Sequence, residues 1–295
     1  MSIRTKIIHK LVSLQMSGWS RGPIEAQRAR QEKALKYVRL PAAIHCRPVS
    51  VDGIPAEWIK APGVDSGVLL YLHGGAFALG SINTSREWVA RLVRATKMRA
   101  LAINYRLAPE HPYPAALDDA TTAYLWLLKE GIEPSRIILA GDSAGGGLAL
   151  STLVGQRDAG HPLPAGAVCI SPWTDLALTG DSIQDKAQID PILSPGDLDM
   201  YAGYYAGEYE RTWPLLSPLY ADLQGLPPLL IQVGTDEILL DDAVRCASKA
   251  RKTGVDVTLE TWDGMFHVFQ MFPFLPETKR AVESIAKFVS QRLVR

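Results

Sequence analysis

Cysteine is scarce in this chain. Cys46, Cys169 and Cys246 stand far apart and form neither a CxxC pair nor a disulfide framework, which predicts a reducing, cytoplasmic setting. Cys169, inside Ala167-Val168-Cys169-Ile170, reads as a small core residue. A surplus of one charge is also missing: 31 basic and 31 acidic residues cancel, so no electrostatic footprint for nucleic acid or an anionic membrane exists. No run is long and apolar enough to span a bilayer. Met1 to Gly18 mixes basic and apolar residues as a signal peptide does. However, Lys6, His9 and Lys10 interrupt any hydrophobic segment and no A-x-A site follows. Ile3, Ile7, Leu11 and Leu14 recur there at helical spacing, which predicts a packed amphipathic helix. The six histidines show neither H-E-x-x-H nor H-x-x-E-H spacing, which disfavours a metal hydrolase. Internal repeats and low-complexity segments are absent.

What is present is a long alternation of apolar runs and helical patterns. Val68–Leu72, Ala100–Tyr105, Ile137–Ala140, Ala165–Ile170 and Leu229–Val233 read as buried strands, and Val255–Thr261 as the last strand. Between them lie helical stretches at Ser85–Thr96, Pro114–Lys129, the segment after Ser143, and Leu239–Lys252, with a terminal helix from Pro276. Asp52-Gly53 between Ile44–Val51 and Ala56–Ile59 predicts a hairpin. This order predicts an α/β fold with a mostly parallel central sheet and helices on both faces. Residues 1–40 lack strand pattern, and Thr174 to about Leu223 is too long for a simple connection. The latter reads as an insertion, helical near Pro195–Tyr205.

In such a sheet, ligands bind beyond the carboxyl ends of the strands. Four segments there carry reactive or glycine-rich residues: His73-Gly74-Gly75, Gly141-Asp142-Ser143, Gly234-Thr235-Asp236 and Gly264-Met265-Phe266-His267. Gly141-Asp142-Ser143-Ala144-Gly145 follows a buried strand and opens a helix, the context of a nucleophile elbow, with Ser143 as nucleophile. A serine hydroxyl needs a base, and the base needs an orienting acid. His267, in a glycine-containing loop after the last strand, is the expected base, and Asp236 the expected acid. Glu237 is adjacent and competes; Asp241 and Asp242, further into the helix, are expected to face solvent. Gly74, Gly75 and Ala144 are the expected oxyanion-hole donors, because attack on an ester carbonyl places negative charge on its oxygen.

His73-Gly74-Gly75-Ala76, Tyr105-Arg106-Leu107-Ala108-Pro109-Glu110, Gly141-Asp142-Ser143-Ala144-Gly145-Gly146 and Asp263-Gly264-Met265-Phe266-His267 together resemble the hormone-sensitive lipase-like esterases, the bacterial family IV branch of the α/β-hydrolases. The resemblance implies a carboxylic ester hydrolase that needs no cofactor or metal, acts on short to medium acyl chains, and takes a small-molecule ester as partner. It implies a catalytic domain over residues 41–295, with residues 1–40 and part of 175–222 forming a helical cap. Many such enzymes dimerise, and pairing through the last strand is the expectation. Ala76 stands where many relatives have a third glycine, which weakens any expectation of tolerance for bulky alcohol groups. His73 and Asp142 are expected to order the oxyanion loop, with Tyr105–Pro112 bracing it. Trp19, Phe77, Trp88, Trp173, Tyr201 and Met265 are candidate pocket walls. An amidase-type hydrolase and a catalytically silent small-molecule receptor are the alternatives; a receptor would lose the base or the nucleophile, and this chain has both.

Overall fold

The computed structural model describes residues 3–16, 22–35, 38, 40, 43–64 and 66–293; Trp19 lies outside them. Eight strands form one sheet in the order β1-β2-β4-β3-β5-β6-β7-β8. They are β1 (His45–Val51), β2 (Ile54–Lys60), β3 (Val68–Leu72), β4 (Arg99–Ile103), β5 (Ile137–Asp142), β6 (Gly166–Ile170), β7 (Leu229–Gly234) and β8 (Val257–Trp262). β1, β2 and β4 pair antiparallel, and all pairs from β4 through β3 to β8 are parallel. The hairpin forms where Asp52-Gly53 signals it: Val51 pairs with Ile54, and both turn residues have positive φ, 47° and 96°, the geometry that matches strand twist.

The pleat sorts each central strand onto two cores. Val68, Leu70 and Leu72 of β3 face one, Leu69 and Tyr71 the other; Ile137 and Leu139 of β5 separate from Ile138 and Ala140 in the same way. A strand covered on both faces is apolar on both, which is why β3, the start of β5 and β6 read as unbroken apolar runs, and β7 is interrupted only by Gln232, whose amide donates to Glu260 and to Ala281 O. Helices α4 (Ala115–Lys129), α5 (Ala144–Asp158) and α8 (Leu240–Lys252) cover the first face through residues such as Ala116, Leu148 and Ala243. Helices α3 (Ile82–Thr96) and α9 (Pro276–Arg292) cover the second through Trp88, Leu92, Ile285 and Phe288. A capping box at Ser81 and Thr84 starts α3 three residues earlier than the apolar pattern suggests.

Two N-terminal helices, α1 (Ile3–Met16) and α2 (Ile24–Leu35), precede the sheet, and the segment between β6 and β7 holds α6 (Ser182–Asp185) and α7 (Pro195–Ala206). Ser194 caps α7 by accepting from Asp197 N, with Pro195 at the first helical position. The face of α1 differs from expectation. Leu11 and Leu14 are exposed, whereas Val12 is buried with Met265 and Phe266, and Ile8 packs beside it. Two apolar stripes lie side by side on this helix, and only the docking surface selects between them. Asp242 also differs. It is fully buried and accepts from Thr174 N at 2.7 Å and Asp175 N at 2.8 Å, fixing the start of the insertion; burial pushes its carboxyl up to about 8. Because α8 begins at Leu240, Asp242 sits in its first turn, where an acid complements the helix dipole.

Among the described residues no helix is long and apolar enough to cross a membrane.

Candidate active site

β5 delivers Ser143 to the carboxyl edge of the sheet. Its backbone has φ 54° and ψ −123°, a strained conformation that the surroundings over-determine. Ser143 N donates to Ile170 O at 2.8 Å, and Ser143 O accepts from Gly146 N and Trp173 N, both at 3.0 Å. The helix behind it packs so closely that a Cβ at Gly145 would lie 2.0 Å from Leu72 O. Ser143 is nearly buried and opens on a cavity of about 230 Å³. His267, from the loop after β8, borders the same cavity.

The carboxylate on His267 belongs to Glu237. His267 Nδ1 lies 2.7 Å from Glu237 Oε2, with both side chains buried. The other oxygen, Oε1, accepts from Ser171 Oγ at 2.8 Å and Gly234 N at 2.7 Å. Ser171 Oγ in turn accepts from Val268 N at 3.2 Å, so one hydroxyl joins the acid to the histidine loop. Burial alone lowers the His267 pKa. The bond and charge of Glu237, helped by Asp190 and Asp142, outweigh it and hold the imidazole above its ordinary value.

The structure does not bring Asp236, the acid expected from the sequence, to His267. Its carboxylate lies 3.7 Å from His9 Nε2, and its N–H donates to Met265 O at 2.9 Å. The reason is steric. A Cβ at Gly234 would lie 2.1 Å from Met265 O, so the turn after β7 runs hard against the histidine loop. Consecutive side chains then diverge, and the second acid of the pair meets His267. His9 reaches from α1 to Gly264 O at 3.2 Å and Ile189 O at 3.3 Å, docking that helix on both the histidine loop and the insertion.

The turn after β3 supplies N–H donors. Gly74 N donates to Asp142 Oδ1 at 3.0 Å, and Tyr71 OH donates to the same oxygen. Gly74, expected as an oxyanion donor, borders the cavity, but its N–H already has an acceptor in Asp142. Among the described residues the N–H groups of Gly75, Ala76 and Ala144 have no protein acceptor. His73 Nδ1 lies 2.7 Å from Gly74 O, and its ring stacks on Tyr105, whose hydroxyl donates to His73 O at 2.7 Å. Burial pushes His73 down to about 4, although the Gly74 bond opposes this. It is a neutral strut. Asp142 is raised by burial, which its bonds from Tyr71 and Gly74 partly offset.

The chain is similar to known proteins. A family model described as alpha/beta hydrolase fold matches residues 69–271. An acetyl-hydrolase of Streptomyces hygroscopicus is 48% identical over 242 residues, covering 82% of this chain and 81% of that protein. An esterase of Acinetobacter venetianus is 40% identical over 249 residues, covering 84% and 82%. The crystal structure of an esterase from the bacterial hormone-sensitive lipase family superposes with a TM-score of 0.95 at 44% identity, covering 100% of this chain and 99% of that one. The chain belongs to the hormone-sensitive lipase branch of the α/β-hydrolase fold family.

In this hydrolase, the cavity walls come from both the insertion and the sheet edge. Ile192, Leu193, Leu198, Val268 and Met271 form an apolar side, while Gln31, Thr84 and Ser85 form a polar one. Among the described residues, Tyr201 is the one expected wall residue found there. Phe77 stacks on Tyr205 at 3.7 Å, Trp173 and Trp88 fill the two sheet cores, and Met265 packs beneath α1. Large apolar side chains near a site are more readily claimed by the core than by a pocket. Asp190, which had no sequence signal beyond its position, accepts from Ile192 N, Leu193 N and Ile238 N, pinning the apolar wall to the turn that carries Glu237.

Proposed function

We propose that the protein, a carboxylic ester hydrolase, cleaves esters of short to medium acyl chains by acyl transfer through Ser143, with His267 as base and Glu237 as the orienting acid. The observation that carries this reading is the 2.7 Å contact between His267 Nδ1 and Glu237 Oε2, with His267 and Ser143 opening on one cavity. Glu237 fixes the Nδ1–H tautomer and leaves Nε2 free as an acceptor. His267 takes the Ser143 proton as Oγ bonds to the acyl carbon. The Gly75, Ala76 and Ala144 N–H groups bind the oxyanion, and the first turn of α5 adds its dipole. The imidazolium then protonates the departing alcohol. Water, deprotonated by the same histidine, attacks the acyl-enzyme and releases the acid and the free serine.

The cavity of about 230 Å³ and its apolar side support a confined acyl group. The acetyl-hydrolase name of the Streptomyces relative supports the same preference. The reading includes a helical cap made from α1, α2 and the helices of the insertion, and a cytoplasmic setting supported by three unpaired cysteines. It also includes a homodimer through β8, which among the described residues pairs only with β7 at the end of the sheet.

Hydrolysis of p-nitrophenyl esters from acetate to palmitate by wild type and Ser143→Ala tests the reading. Loss of about 10⁵-fold or more in kcat in the mutant, with a wild-type maximum at short chains, is the expected result. A well-folded wild type that turns over no ester overturns it. Light scattering at micromolar concentration tests the dimer, and a monomeric mass removes it.

A further inference from the structure

We infer that Arg28, on cap helix α2, is a positioning residue for the oxyanion turn, holding the backbone that aims the Gly75 and Ala76 N–H groups. The inference rests on the acyl-transfer reading above.

One guanidinium makes bonds to three places. Arg28 Nε donates to Ala78 O at 2.8 Å, and Nη2 donates to Ala108 O at 2.7 Å. Nη1 and Nη2 grip the Glu110 carboxylate at 2.7 and 2.8 Å. Ala78 closes the oxyanion turn: Ala78 N and Leu79 N both donate to Gly75 O, at 3.0 and 2.7 Å. Ala108 N donates to Phe77 O at 2.9 Å. The bonds therefore form a ring that runs from Arg28 to Ala78, along one peptide to the adjacent Phe77, across to Ala108 and back to Arg28.

That ring grips the end of an unfavourable stretch of backbone, and the Ala78 and Leu79 N–H bonds to Gly75 O tie the stretch to it. Gly75, Ala76 and Phe77 have φ of 120°, 52° and 59° in succession, and the last two bear side chains that disfavour such values. A turn of this kind persists only where surrounding bonds over-determine it. Arg28, on α2, supplies one of those bonds directly, to Ala78 O, and with a second holds Ala108, whose N–H donates to Phe77 O. A planar fork with fixed N–H directions can address two carbonyls and a carboxylate at once, which a lysine ammonium cannot. The Arg28 bond holds Glu110 down to about 2, so the pair is ionised across the range in which esters are assayed. Arg28 does not border the cavity, whereas Gln31, one helical turn on, does. It acts on the reaction through the turn and not through the substrate.

Arg28→Ala, Arg28→Lys and Glu110→Gln are assayed on p-nitrophenyl butyrate and titrated with an alkyl trifluoromethyl ketone, which forms an oxyanion on the serine. Losing one oxyanion donor costs about 10²–10³-fold. Misaiming the turn is therefore expected to lower kcat about tenfold in Arg28→Ala and to weaken the ketone by the same factor. KM and the pH midpoint should stay where they are in wild type. Arg28→Lys should fall between Arg28→Ala and wild type, and Glu110→Gln, which keeps both carbonyl bonds, should stay within about twofold of wild type. A change in KM alone, or unchanged ketone affinity, overturns the inference and leaves the esterase reading intact. If Arg28→Ala does not fold, Arg28→Lys decides by the same criteria. No turnover by wild type overturns both.

Discussion

After β3 the chain bends through three successive positive φ angles, and besides its internal bonds to Gly75 O the anchors on that bend come from other elements: Asp142 from the elbow, Tyr105 and Ala108 from the segment after β4, Arg28 from α2. After β7 the bend carries its own anchor. Glu237 bonds back to Gly234 N, takes Ser171 Oγ on the same oxygen, and keeps its other oxygen for His267. The first turn is organised by backbone shape, so it should be most sensitive to an added Cβ. The second is organised by one buried carboxylate, so charge should matter most there. Preorganised dipoles and an oriented base are both needed for acyl transfer, and this fold secures them by different means.

Removing the charge at the second turn should have the largest effect. Glu237→Gln is expected to lower kcat by about 10³–10⁴-fold, in the range seen when a triad acid is neutralised. It should also move the midpoint of kcat/KM against pH downward, because the carboxylate is what raises His267. In wild type the base must be neutral, so activity rises with pH through a midpoint above 6.5. Stability runs the other way. A histidine raised by folding stabilises the native state fully below 6.5, and that contribution is lost as pH rises through the folded value. Thermal melts across this window should decline as the rate increases; a flat melting profile counts against the raised histidine.

Adding a methyl group at the first turn comes next. A Cβ at Gly75 would sit 2.2 Å from Leu79 O with φ at 120°, so Gly75→Ala should displace a donor and cost about 10²-fold in kcat. A smaller effect is expected from Tyr71→Phe, which leaves Asp142 Oδ1 with Gly74 N alone. Urea titration should read a loss of about 1–3 kcal/mol, the cost of a buried acceptor deprived of a partner. Asp236→Asn should do least, changing kcat by less than about threefold, as do substitutions away from named structural features. If Asp236→Asn matches Glu237→Gln in its loss, the assignment of the acid is wrong.

Much of this was legible in one sequence. Apolar runs, broken in β7 only by Gln232, identify β3, the start of β5, β6 and β7 because strands covered on both faces have no polar side. Gly141 to Gly145 identifies the elbow because side chains there would strike backbone, and its position after a buried strand puts Ser143 at the carboxyl edge with the Gly74-Gly75 turn and the His267 loop. These are consequences of local sterics and of the pleat. They belong to the chain whatever its final packing.

Tertiary structure decided the questions that turn on a single residue step. Sequence favoured Asp236 over the adjacent Glu237 and offered Gly74 and Gly75 alike as donors. In a tight turn, however, neighbouring groups point in opposite directions, so only the approach of a second loop determines which one meets the reaction. Packing of the turn on the Met265 carbonyl leaves Glu237 against His267, and the Asp142 carboxylate accepts the Gly74 N–H. The same holds for α1, where Val12 and not Leu11 or Leu14 is buried, and for Arg28, whose partners lie 50 and 80 residues away. Sequence determined which residue types reach the sheet edge because local sterics are short-ranged. Which atom of each faces Ser143 was decided by contacts between segments distant in the chain.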